Sequence, residues 1–173
     1  MLDGLLMVYT GNGKGKTTAA LGQAVRFLGH GKKVCMLQFM KGSPNYGEVI
    51  LAEKLEGLNI EQWGRHEFVD PDNPAQIDKD WAQKGLLRVK EILFSDEYDL
   101  VILDELNVAM SFGLVTWEQV KRVIDSRPPR LDLIITGRYA LNDLLESADL
   151  VSIIEEGKHH YQKGITARPG IEY

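Results

Sequence analysis

The stretch Thr10-Gly11-Asn12-Gly13-Lys14-Gly15-Lys16-Thr17-Thr18 restricts what this chain can fold into more than any other part of it. It follows the apolar run Leu5-Leu6-Met7-Val8-Tyr9 and precedes residues 17–28, where Ala, Leu and Val recur at helical spacing until Gly29-His30-Gly31 ends the helix. A buried strand, a glycine loop and a helix in that order turn successive backbone N–H groups toward one anion. Lys16 supplies a point charge for phosphates, and the Thr17 hydroxyl stands one residue on, where it can ligate a magnesium ion bridging them. Gly11, Asn12, Gly13, Lys14, Gly15, Lys16, Thr17 and Thr18 are therefore read as the ATP-binding loop. In the usual pattern G-x-x-x-x-G-K-[ST] the first position is glycine; here it is Thr10, with Gly11 one place later. A plain glycine turn has no need of two lysines and two threonines within five residues.

Further apolar runs at 34–39, 58–63, 100–103, 131–135 and 150–154 alternate with helical patterns at 75–95, 117–126 and 140–147. That alternation predicts an α/β fold with a mostly parallel central sheet covered by helices on both faces, in the RecA-like P-loop NTPase architecture. With 173 residues and no break in composition, the chain reads as one domain over 1–173. The net charge of −5 is spread without a basic stripe, which argues against nucleic acid as a partner. Its single cysteine, Cys35, lies inside an apolar run and reads as a buried strand residue. Neither a leader at Met1-Leu2-Asp3-Gly4 nor an apolar run approaching the roughly 18 residues of a membrane span is seen, so a cytoplasmic enzyme is the expectation.

A phosphate loop needs an acidic partner at the tip of another central strand, and Leu100-Val101-Ile102-Leu103-Asp104-Glu105 supplies two carboxylates. Glu105 is the stronger metal candidate, with Asp104 either a second metal ligand or the cap of a following helix. Thr136-Gly137-Arg138 ends the fifth strand at the same sheet edge, which places Arg138 toward the phosphates. Arg26, nine residues past Thr17, either pairs with phosphate or solvates a surface. The segment Phe68-Val69-Asp70-Pro71-Asp72-Asn73-Pro74 opposes both helix and strand. It is either a functional loop, such as a lid, or a helix start with Asn73 as cap and Pro74 in the first turn.

These features suit a phosphotransferase, an ATPase or a non-catalytic nucleotide-dependent regulator as well as any other chemistry on this fold. More specific are five blocks, in order: residues 10–20, Gln38-Phe39-Met40-Lys41-Gly42, Leu103-Asp104-Glu105-Leu106-Asn107-Val108-Ala109, Ile135-Thr136-Gly137-Arg138-Tyr139-Ala140, and Gly164-Ile165-Thr166-Ala167-Arg168-Pro169-Gly170-Ile171-Glu172-Tyr173. Together they resemble the ATP:corrinoid adenosyltransferase family, which makes adenosylcobalamin. The resemblance implies that the cobalt of a Co(I) corrinoid attacks the 5′ carbon of ATP and that intact triphosphate leaves. It further implies that the loop from Gly11 to Thr18 binds the triphosphate in the reverse of the usual direction, that Lys16 offsets its charge, and that Thr17 with Glu105 places Mg2+ or Mn2+. A homodimer and an electron-donating reductase such as a flavoprotein belong to the same picture, and the rival within it is a non-catalytic nucleotide-dependent corrinoid-binding protein.

Two departures stand out. Members of the family often carry an N-terminal helix before the first strand, covering the partner subunit's site, whereas this chain starts almost at the strand. Many also carry Phe-Thr-Trp, whose aromatics crowd the lower corrin face, where this chain reads Phe68-Val69-Asp70, so only Phe68 carries over as corrinoid-binding. It either packs on the corrin or anchors its own loop. His159-His160 reads as a pair of exposed polar positions rather than a cobalt ligand.

Overall fold

The computed structural model describes residues 3–173; Met1 and Leu2, part of the stretch read above as lacking a leader, lie outside the described residues. Along the chain the elements are β1 (Leu6–Thr10), α1 (Lys16–Gly29), β2 (Val34–Phe39), α2 (Gly47–Ala52), β3 (Leu58–Trp63), α3 (Gln76–Phe94) and β4 (Leu100–Asp104). There follow α4 (Leu106–Ser111), α5 (Trp117–Asp125), β5 (Asp132–Thr136), α6 (Asn142–Ser147), β6 (Leu150–Ile153) and a 3-10 turn at His160–Lys163. The six strands form one sheet in the order β3-β2-β4-β5-β1-β6, and every neighbouring pair runs parallel. The sheet is thus wholly rather than mostly parallel. Among the described residues no helix is long and apolar enough to cross a membrane.

Side chains of successive strand residues point to opposite faces, and both faces are apolar here. Leu6, Val8, Cys35, Leu37, Val101, Leu103, Leu133 and Ile135 pack with residues of α3, α4, α5 and α6. Met7, Tyr9, Val34, Met36, Leu100, Ile102 and Ile134 pack on the other face with Ala20 and Ala24 of α1. Burial on both sides is why these strands read as unbroken apolar runs. Cys35 sits in the first of these layers, where burial, with Glu61 adding to it, pushes its thiol up to about 12, so it is no nucleophile.

Because β5 lies between β1 and β4, the phosphate loop and the acidic strand end are separated by one strand yet open at the same edge. At that edge the backbone is strained: of the four non-glycine residues with positive φ among the described residues, Met40 (58°), Glu105 (60°) and Tyr139 (62°) follow β2, β4 and β5. The 68–74 segment is a loop, and α3 opens at Gln76 with Ala75 before it and no side-chain cap, so the reading of Asn73 as cap and Pro74 in the first turn does not hold. The loop's stem is held by Arg65, whose Nε and Nη2 donate to buried Asp78 in the first turn of α3 at 2.7 and 2.9 Å.

Candidate active site

The loop after β1 is pressed against the chain leaving β6. A Cβ at Gly11 would lie 2.4 Å from Ile154 O and one at Gly13 2.5 Å from Glu155 O, so only glycine fits either place. Gly13 N–H donates to Ile154 O at 2.7 Å, while Gly15, at φ 119°, hands the chain to the first turn of α1. Lys16 folds back over the loop, its Nζ donating to Gly11 O at 2.9 Å and Gly13 O at 2.7 Å. Burial lowers its pKa, with Glu105 pulling the other way and Arg138 adding to the lowering. An ammonium held among carbonyls and partly stripped of water can exchange those partners for the oxygens of an anion.

The acidic strand end is built around Asp104, which is completely buried. Its Oδ1 accepts from the hydroxyls of Thr17 (2.8 Å) and Thr136 (2.7 Å), and its Oδ2 from Lys41 Nζ (2.6 Å). The capping reading of Asp104 therefore fails: Glu105 stands before α4, in left-handed conformation and without a side-chain cap. Glu105 lines the cavity, and burial together with the charge of Asp104 raises its pKa against the pull of Lys41, Lys16 and Arg138. Burial works against the charge on Lys41, but Asp104, Glu105 and Glu48 together outweigh it and its pKa is raised. Lys41 Nζ also lies 5.6 Å from the centre of the Tyr46 ring. A hydroxyl and two carboxylates on adjacent elements form a hard-oxygen donor set that suits Mg2+ sharing its coordination with phosphates. Among the described residues no cluster of three or more His, Cys, Asp or Glu forms a metal cage by itself.

Arg138 lines the same cavity, placed by a contact the sequence does not announce. Asn107 on α4 is buried and its Nδ2 donates to Gly137 O at 3.1 Å, while a Cβ on Gly137 would lie 3.0 Å from Asn107 Cβ. Arg26, by contrast, is exposed on α1 and does not line the cavity. Phe68 is fully exposed, so its ring anchors nothing; Val69 is the residue of that loop that packs on the core. His159 and His160 are half-buried rather than exposed, their rings stacked 4.7 Å apart. Sequence reading assigns no role to Lys41, Thr136 or the C-terminal residues 170–173, which close over the cavity. For Lys41 a positional signal is present: two residues beyond the buried strand Val34–Phe39, it falls at the sheet edge where ligands of open α/β sheets bind.

A family model described as ATP:corrinoid adenosyltransferase BtuR/CobO/CobP matches residues 2–173. The corrinoid adenosyltransferase of Escherichia coli strain K12 is 38% identical over 170 residues, covering 98% of this chain and 86% of that protein. That of Salmonella typhimurium strain LT2 is 36% identical over 170 residues, with coverage of 98% and 86%. Among solved structures, the flagellar accessory protein FlaH from Methanocaldococcus jannaschii superposes with a TM-score of 0.53 over 88% of this chain and 72% of that one. At 13% identity that likeness bears on the fold alone.

Proposed function

The chain belongs to the ATP:corrinoid adenosyltransferase family, and on that premise we propose how its own residues share the transfer of the 5′-deoxyadenosyl group from ATP to a reduced corrinoid. The Co(I) electron pair forms the bond to the 5′ carbon, the C5′–O bond breaks, and triphosphate departs with the electrons of that broken bond. The leaving group is a polyanion, so the protein's part is to hold it in line and offset its charge. The loop 11–18 cradles it, Lys16 and Arg138 face it, and Thr17 with Asp104 and Glu105 would hold Mg2+ or Mn2+, which supplies further positive charge when bound. The observation that carries this assignment is the convergence of Lys16, Thr17, Lys41, Glu105 and Arg138 on one cavity, with Asp104 fixing Thr17 beneath it. Incubation with Mg-ATP and chemically reduced cobalamin should yield adenosylcobalamin and triphosphate in equal amounts. ADP and phosphate without an adenosylated corrinoid would instead mark a phosphotransferase or ATPase.

Phe68 is the corrin-facing residue in this reading, because a fully exposed ring on a loop whose stem is fixed elsewhere is free to pack on a ligand. Covering it should contribute about 1.5–3 kcal/mol to corrinoid binding. Phe68→Ala should slow adenosylation when Co(II) must shed its axial ligand and be reduced in the site, and should slow much less a reaction started with Co(I). Its melting temperature should stay at the parent's, since the ring buries nothing in the fold. Equal slowing of both reactions would remove Phe68 from the corrin site.

Glu105→Gln keeps the shape of the metal's second carboxylate without its charge. Its activity should fall several-fold at limiting magnesium and recover as magnesium is raised; full activity at limiting magnesium would leave Asp104 as the sole carboxylate ligand. The working enzyme is a homodimer supplied with electrons by a reductase such as a flavoprotein, and its corrinoid is cobalamin or a precursor. Exposed Leu150, Val151 and Ile153 along the β6 edge support a partner there.

A further inference from the structure

Arg138 stands at an abrupt bend. Gly137 before it has φ 126° and Tyr139 after it φ 62°; at tyrosine that left-handed conformation is costly and persists only where the surroundings hold it. The hold comes from the start of α4. Glu105 N–H donates to Thr136 Oγ1 at 3.1 Å and Asn107 Nδ2 to Gly137 O at 3.1 Å, so two successive residues at the end of β5 are stitched to the segment that carries Glu105. Gly137 lies close against that segment: a Cβ there would come 3.0 Å from Asn107 Cβ and 3.2 Å from Val108 N.

Asn107 is completely buried, and among the described residues no donor reaches its Oδ1. For hydrogen bonding alone the amide gains the fold nothing, since it pairs one buried oxygen, that of Gly137, and strands another. What it does supply is a fixed relation between two cavity-lining groups of opposite charge, Glu105 and Arg138.

We propose that Asn107 is a positioning residue for adenosyl transfer: through Gly137 it fixes the backbone from which Arg138 reaches the departing triphosphate, opposite Glu105. The inference rests on the adenosyl-transfer reading for its reaction and adds a residue that does not itself line the cavity. Glycine has no side chain to limit its torsions, so without the bond the backbone at 137 can turn and carry the guanidinium off its mark. A misplacement of about 1 Å in such a group can cost about 10²-fold in rate.

The test is a double-mutant cycle. Asn107→Leu nearly keeps the shape and exchanges one unpaired buried oxygen, its own Oδ1, for another, Gly137 O; Asn107→Ser carries a hydroxyl that ends one bond short of Nδ2. Both should melt within about 4 °C of the parent. Each is made with Arg138 in place and in an Arg138→Ala background, and read as kcat/KM for adenosylcobalamin formation and as calorimetric affinity for inorganic triphosphate. With Arg138 present each should lower kcat/KM about ten- to hundredfold. In the Arg138→Ala background the further loss should be under about twofold, because no guanidinium is left to place. Triphosphate affinity should follow the same pattern.

Equal losses in both backgrounds would make Asn107 a structural residue of the sheet edge, and no loss with Arg138 in place would leave it without a part in the reaction; either overturns the proposal. An Arg138→Ala protein as active as the parent would remove Arg138 from the phosphates and the proposal with it. If the parent forms no adenosylcobalamin, the adenosyl-transfer reading falls instead, and the triphosphate titrations, which need no corrinoid, still decide whether Asn107 places Arg138.

Discussion

Lys16→Ala is expected to lower kcat/KM for ATP by about 10²–10⁴-fold, because each charge-assisted hydrogen bond to the triphosphate is worth roughly 1.5–3 kcal/mol and two are lost. Stability should barely change. In the structure the ammonium's partners are Gly11 O and Gly13 O, carbonyls of a loop that lines the cavity, where water can replace the lost donor. Alanine also suits the first turn of α1. The melting temperature should therefore move by no more than about 4 °C, the shift that 1 kcal/mol produces in a domain of this size. Lys16→Arg should not restore activity, since a planar fork cannot occupy the place of a compact ammonium folded over the loop. Calorimetry with ATP is the direct check: an affinity within a few-fold of the parent's would remove Lys16 from the phosphate site.

How much of this is legible in the sequence depends on what kind of order each part has. Apolar runs place the strand ends to within about a residue, because strands buried on both faces are bounded by polar residues. Of the three six-residue helices, Asn142–Ser147 falls inside the pattern at 140–147, whereas Gly47–Ala52 and Leu106–Ser111 escape a reading by periodicity, since fewer than two turns seldom display a period. Ranking Glu105 above Asp104 as a metal residue leaves out what strand geometry adds, the direction in which Asp104 points. Leu100, Ile102 and Asp104 alternate onto the face that packs against α1, the helix that opens at Lys16-Thr17, so Asp104 must point at Thr17. Thr136 follows by the same rule from Ile134 on β5. The docking of residues 170–173 over the cavity has no such signal: a segment without periodicity carries its resting place in contacts made by other elements.

The second large effect concerns Asp104. Asp104→Ala should destabilise the protein by about 3–5 kcal/mol, because it strips the half-buried Lys41 ammonium of its counter-charge and the Thr17 and Thr136 hydroxyls of their acceptor. At this size that is a fall in melting temperature of roughly 6–20 °C. Activity should be lost as well, but the loss alone would not say whether the carboxylate serves the fold or the chemistry. Asp104→Asn separates the two. Its carbonyl oxygen can still accept from Thr17 and Thr136, whereas its NH2 group would face the Lys41 ammonium, donor against donor. Lys41→Met in that background removes the conflict, so the double variant should melt higher than Asp104→Asn alone, a coupling expected between residues in contact. It should nonetheless remain inactive, since neither the anion that fixes Thr17 for the metal nor the cation beside the phosphates is present. Lys41→Met with Asp104 retained isolates the cation: it should weaken triphosphate binding and leave the bonds from Thr17 and Thr136 to Asp104 in place. If the double variant regained activity together with stability, Asp104 would act only to neutralise a half-buried lysine, and the metal would rest on Thr17 and Glu105.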